Sequence, residues 1–274
     1  MKKFYLLLSL FILMLPHYSC KKNTSCDLNP NVNSSNDVIL SLSSYTTIFN
    51  LIIKARLDSS ITHLGYGAVE GAQVLYNSTL NEYQFLFNNL CPDSVLRSGV
   101  INVKVTGDLL QQGSFARVYF ENYYEDFGKV NGTDSIANEG VNSSGQMVWS
   151  MHVSGGNINK AYGGGEISLD INATFKVAVN DLSYGSDIVF LVKGNMAGIS
   201  SKGYEFHASV RDTLRDSFSC PWIKDGIVDL HIPGSEIPDG TINFMSESGC
   251  SDVFWYYFGN SSFRIHKNKE FLKN

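Results

Sequence analysis

The chain has 274 residues, a formal net charge of −5 and only 17% charged side chains, against 43% hydrophobic. About a quarter of residues are charged in an ordinary soluble domain, so the composition is unlike that of a cytosolic enzyme, and no long basic run offers a footprint for nucleic acid. Glycine is frequent (24) and proline scarce (6), and Asn and Ser crowd the gaps between apolar runs, which is the pattern of short strands joined by turns.

At the N-terminus Lys2 and Lys3 precede an almost unbroken apolar run over residues 4–15, closed by Pro16. A membrane-spanning helix needs roughly 18 or more apolar residues, so this run reads as a signal peptide over residues 1–19. Ser19 and Cys20 follow, then Lys21, Lys22 and Asn23. This stretch resembles the signal of bacterial lipoproteins, in which a cysteine takes a diacylglycerol and the peptide is cut just before it. Cys20 is the lipidation candidate, with small Ser19 before the cut. Tyr18 and His17 stand where a small aliphatic residue and a leucine are usual, a relaxed box of the kind found in Bacteroidota lipoproteins. The competing reading is a plain secretory signal, with Cys20 left for a disulfide. Acyl chains contribute about 0.8 kcal/mol per buried methylene, so the first reading implies a stable bilayer anchor.

Residues 20–37 then read as the lipidated cysteine and a flexible tether, rich in Asn, Ser and Lys. Lipoproteins of this kind bound for the cell surface carry acidic residues just after the cysteine. Lys21, Lys22 and Asn23 are not acidic, and the expectation is the periplasmic face of the outer membrane.

Residues 38–274 form the expected folded part. A helix is expected over residues 42–57, where Tyr45, Ile48, Phe49, Ile52, Ile53 and Arg56 recur at three- and four-residue steps. Beyond it the period changes to two. Residues 74–76 and 83–87 read as a hairpin around Asn77 and Asn81. Further strands are expected over residues 100–105, 115–120, 147–153, 167–179, 188–192, 204–210, 227–232, 241–244, 253–258 and 263–265. Strands this close, with no crossover helices, pair antiparallel. About a dozen of them will not stay in one flat sheet. The fold class is therefore mainly β, an antiparallel sandwich or half-barrel with one N-terminal helix. Residues 83–105 echo residues 241–265 as strand, cysteine, glycine, strand, which suggests an internal duplication.

Five cysteines occur: Cys20, Cys26, Cys91, Cys220 and Cys250. Setting Cys20 aside leaves an even number, which suggests disulfides in an oxidising compartment. The pairing Cys220–Cys250 is favoured because the strands between them fold back, leaving Cys26 and Cys91 as the remaining candidates. No close cysteine pair and no neighbouring histidine suggest a metal site.

The segments Leu96-Arg-Ser-Gly99, Val118-Tyr-Phe-Glu-Asn-Tyr123, Cys220-Pro-Trp222 and Gly249-Cys250-Ser-Asp252 resemble an uncharacterised, glycine-punctuated group of Bacteroidota lipoproteins. The resemblance implies location and β-architecture; it brings no activity.

Candidate chemistry is sparse. His152, His207 and His231 fall on expected strands, but an isolated strand histidine is more often structural than catalytic. No nucleophile elbow is present, and no catalytic residue or cofactor is assigned. Glu121, Glu125 and Asp126 lie among Tyr119, Phe120, Tyr123 and Tyr124, an arrangement that suits a sugar site, beside the plainer reading of a strand end with a charged turn. Trp255 and Tyr257 share one face of residues 253–258, either a strand buried on both sides or a binding platform. The candidate ligand-binding residues are thus Glu121, Tyr123, Tyr124, Trp255 and Tyr257. The expected partners are the bilayer and an unknown envelope ligand or protein. The expected function is non-catalytic binding, with a carbohydrate-active hydrolase and a structural component of the outer membrane as alternatives.

Overall fold

The computed structural model describes residues 30–89, 92, 95–126, 128–161, 164–178, 182–183, 185–234, 239–244 and 249–266. The expected signal peptide, Cys20, Cys26 and Cys91 lie outside them. Two helices come first, α1 (Pro30–Leu57) and α2 (Ser59–Leu64). Fourteen strands follow: β1 (Tyr66–Val69), β2 (Ala72–Asn77), β3 (Glu82–Asn88), β4 (Arg97–Thr106), β5 (Phe115–Glu125), β6 (Gly128–Val141), β7 (Met147–Lys160), β8 (Gly165–Val177), β9 (Val189–Ile199), β10 (Glu205–Ser217), β11 (Cys220–His231), β12 (Gly240–Asn243), β13 (Val253–Phe258) and β14 (Ser261–His266). They form one antiparallel sheet in strict sequence order, and among the described residues no pairing of β14 with β1 closes it.

The sheet rolls around α1. Every residue of α1 from 38 to 46 is buried, more than two full turns, so the helix is covered on all sides. Its partners come from many strands. Phe49 stacks on Phe175 of β8 at 3.9 Å and meets Trp149 of β7 and Phe190 of β9 edge-on. The residues from Val32 to Leu57 have the length and hydropathy of a membrane span. Here the sheet supplies the apolar surroundings that a bilayer would. The mainly β class holds, and the choice between sandwich and half-barrel falls to a half-barrel wound on its own helix.

The helix begins well before residue 42, inside the stretch expected to be tether, and the tether reading fails for residues 30–37. The polar residues there are bonded. Asp37 is fully buried and takes Lys160 Nζ at 2.5 Å and the Ser201 backbone amide at 2.6 Å. Hydroxyls of Ser35 and Thr46 return to carbonyls of their own helix, at 2.8 Å to Val32 and 2.7 Å to Leu42. Pro30 suits the first helical turn, where its missing N–H costs nothing. Lys54 and Arg56 complement the C-terminal end of the dipole. Asp58 then caps the short α2 through the Ser60 amide at 2.8 Å.

Bulges bend the sheet. Register shifts interrupt β4/β5, β5/β6, β6/β7, β7/β8, β9/β10 and β10/β11, whereas β8/β9 runs regularly. At Gly99 the backbone has φ 93°, and a Cβ there would fall 1.9 Å from the Asn122 carbonyl oxygen. Only glycine permits that approach, and the bulge increases local twist.

Cys220 and Cys250 form a disulfide with Cα atoms 5.7 Å apart, as favoured. The two echoing stretches pair differently. β3 pairs directly with β4, while β12 and β14 each pair with β13. Gly99 makes a bulge inside β4, and Gly259 lies in the turn between β13 and β14.

Candidate functional site

One side chain of α1 ties two distant turns of the sheet together. Lys54, near the end of α1, donates to Glu70 in the β1–β2 turn and, at 2.9 Å, to the Phe218 carbonyl in the β10–β11 turn. Its ammonium also sits 4.9 Å from the Phe218 ring centre. The first strand and the tenth turn thus meet across one lysine, and a cleft runs along this seam. It has an inner chamber of about 240 Å³ and an outer one of about 400 Å³, which share Lys54, Glu70, Phe218 and Ser219 as walls. Together they fall in the range of small-ligand sites, roughly 300–1,000 Å³.

The walls are polar and of both signs. In the inner chamber Asn50 donates its amide to Asp216 at 2.8 Å, while its own carbonyl oxygen is buried with no hydrogen-bond partner. A buried acceptor left unmade costs roughly 1–3 kcal/mol. Burial pushes the Asp216 carboxyl up to about 7, against the lowering effect of the Asn50 bond and of Lys54. In the outer chamber, burial works to raise Asp187. Hydrogen bonds from Ser219 and the charge of Lys224 outweigh it and hold the carboxyl below its usual range. Ser219 donates to Asp187 through both its amide at 2.8 Å and its hydroxyl at 2.7 Å.

The residues singled out from sequence are not brought together. Glu121 and Tyr124 are on the outer surface of β5, and Tyr124 is 40% exposed under the Lys129 ammonium. Tyr123 and Glu125 point inward. Glu125 accepts from the Ser44 hydroxyl at 3.0 Å and the Tyr123 hydroxyl at 3.2 Å, and stands 3.6 Å from Arg97 Nε, with both ionic side chains only 1% exposed. The cause is a bulge at Asn122, which has φ 46°. Before it, Ala116 and Val118 face inward; after it, Tyr123 and Glu125 do. Asp126 receives the Leu96 backbone amide at 3.2 Å. On β13, Phe254 and Tyr256 are buried, while Trp255 and Tyr257 lie side by side on the outer face, 36% and 42% exposed. The strand is buried on one face only.

His152, His207 and His231 are all exposed on the outer face. His207 and His231 are cross-strand partners with ring centres 6.2 Å apart, next to Glu205 and Asp239 respectively. His152 instead bonds Asn172 at 2.7 Å. Among the described residues, no group of three or more His, Cys, Asp or Glu side chains is placed to share a metal ion.

Sequence reasoning missed Asn50, Lys54, Glu70 and Ser219. Only Lys54 left a trace, as a cation set directly beside the apolar stripe of α1. Its partners come from the β1–β2 and β10–β11 turns, far apart in the chain, a proximity that no local pattern records. Comparison with protein-family models, curated proteins and solved structures finds no match to this chain.

Proposed function

We propose that the protein is an envelope lipoprotein, anchored through Cys20, whose half-barrel binds a ligand at the Lys54 seam without turning it over. The observation that carries the binding reading is the chamber lined by Asn50, Lys54 and Glu70, beside which the Asn50 carbonyl oxygen is buried without a partner. A site with that acceptor, flanking serine hydroxyls and charges of both signs suits a small polar molecule that donates hydrogen bonds. The hydrolase reading has less support, because Glu125 is committed to Arg97, Ser44 and Tyr123 while Glu121 is on the outer surface.

The anchor is tested by the intact mass of protein extracted from membranes, beside a Cys20→Ser variant. The expected chain starts at residue 20 with added acyl mass, and the variant lacks that mass. An unacylated chain cut elsewhere overturns the anchor. The cleft is tested by native mass spectrometry of protein taken gently from its envelope. The expected result is a co-purifying small molecule, absent from a Ser219→Trp variant that fills the wall the two chambers share. Equal retention by both proteins rules the cleft out as the binding site.

A further inference from the structure

Granting the anchor at Cys20, we infer that the end of the half-barrel around the N-terminal half of α1 rests on the bilayer and that the Lys54 cleft opens away from it. The argument is one of reach. Ten Cα steps separate Cys20 from Pro30, at most about 33–36 Å even when fully extended. The 28 residues of α1 extend the helix by about 42 Å beyond Pro30. With the lipid in the membrane, the C-terminal end of α1 cannot be the end that touches it while Pro30 points outward. That opposite end carries exposed Leu64, Leu80 and Val141, so surface apolarity alone would not choose between the ends. The tether length does.

The surface this places against lipid has suitable chemistry. Asp37 of α1 is tied to Lys160 at the end of β7 and to Ser201 in the β9–β10 turn, so these hairpin tips surround the N-terminal half of the helix. On the β9–β10 turn Lys202 is exposed, and Ile199 and Tyr204 beside it are 49% and 42% exposed. An aliphatic, a lysine and a tyrosine on one protruding turn are the residue types that settle at a headgroup boundary. Lys21 and Lys22, next to the lipidated cysteine, add attraction to anionic lipid. Lys54 lies 17 residues after Asp37 on the same helix, about 26 Å further from that surface along the axis.

Lysine acetylation with a water-soluble reagent, read by peptide mass spectrometry, tests this on the full chain. The acylated protein is placed on vesicles of phosphatidylethanolamine and phosphatidylglycerol and compared with soluble Cys20→Ser protein. Acetylation of Lys202 is expected to slow by roughly threefold or more on the vesicles, while Lys104 on β4 and Lys193 on β9, both exposed, are unchanged. Protein that floats with the vesicles but shows Lys104 protected, or no lysine protected, overturns the orientation and leaves the anchor standing. Protein that carries no acyl mass and does not float overturns the anchor, and the orientation with it.

Discussion

Two buried groups show how much single residues decide. Asp134 is completely buried on β6, and neither carboxylate oxygen has a well-formed hydrogen bond. Burial raises its carboxyl to about 8, with the Ser135 amide working against it. The folded form therefore holds a proton that the unfolded chain, at an ordinary carboxyl value near 4, releases. The stabilisation is complete below about pH 4 and is lost as pH climbs towards and through about 8. Asp134→Asn is expected to raise the melting temperature at pH 8 and to gain much less at pH 4.5; an equal gain at both would show that Asp134 is not buried neutral. Arg97 and Glu125 are the opposite case, a buried pair whose charges satisfy each other. Arg97→Met alone should cost about 3–5 kcal/mol in urea unfolding, because it strands Glu125, and Arg97→Met with Glu125→Leu should recover most of that. If the double variant is as weak as the single, the loss comes from packing. Neither role was legible. The sequence reading placed no strand over Asp134, and the Asn122 bulge reversed the faces of Tyr123 and Glu125.

Most strands were legible as elements because Ile, Val and Phe alternate cleanly with polar residues. The hairpin of β2 and β3 is paired as its turn residues implied, with Asn77 accepting from the amides of Thr79 and Leu80. β6 escaped because two of its inward positions are polar, Asp134 and Asn138, which breaks the apolar alternation. The start of α1 escaped because Ser, Asn and Asp look like linker until their partners on β7 and the β9–β10 turn are known. The bulges were also invisible, although one of them is testable at a single glycine. Gly99→Ala places a Cβ 1.9 Å from the Asn122 carbonyl and forces a positive φ on alanine. It is expected to cost about 2 kcal/mol or more, read from the denaturant midpoint. A change within about 0.5 kcal/mol would mean that β4 and β5 can slide apart at this point without penalty.

At the scale of the whole molecule, two links hold what strand pairing leaves open. One is Lys54 across the seam. The other is Cys220–Cys250, which closes a loop of sequence separation 30 around β11 and β12. By chain entropy such a crosslink contributes about 3–4 kcal/mol. Reduction is expected to lower the unfolding midpoint by that amount while the circular dichroism at neutral pH stays β-rich. An unchanged midpoint would show that packing alone fixes β12 to β14. Strands and disulfide were readable because each is written in a short stretch of residues. The rolled sheet and its cleft depend on contacts between segments far apart in the chain.

The position of α1 in the chain has a consequence for biogenesis. On the export route proposed above, the polypeptide would emerge N-terminus first, so the helix would arrive on the far side of the inner membrane before any strand that covers it. Phe49 must wait for Trp149, Phe175 and Phe190 to follow. During that interval the most apolar helix of the chain is a naked hydrophobic rod beside a lipid surface that would accept it. The buried Asp37, Ser41, Ser43 and Ser44 make the bilayer a poor refuge for it. The same polar residues that dock the helix inside its sheet thus make it a poor candidate to settle in a bilayer.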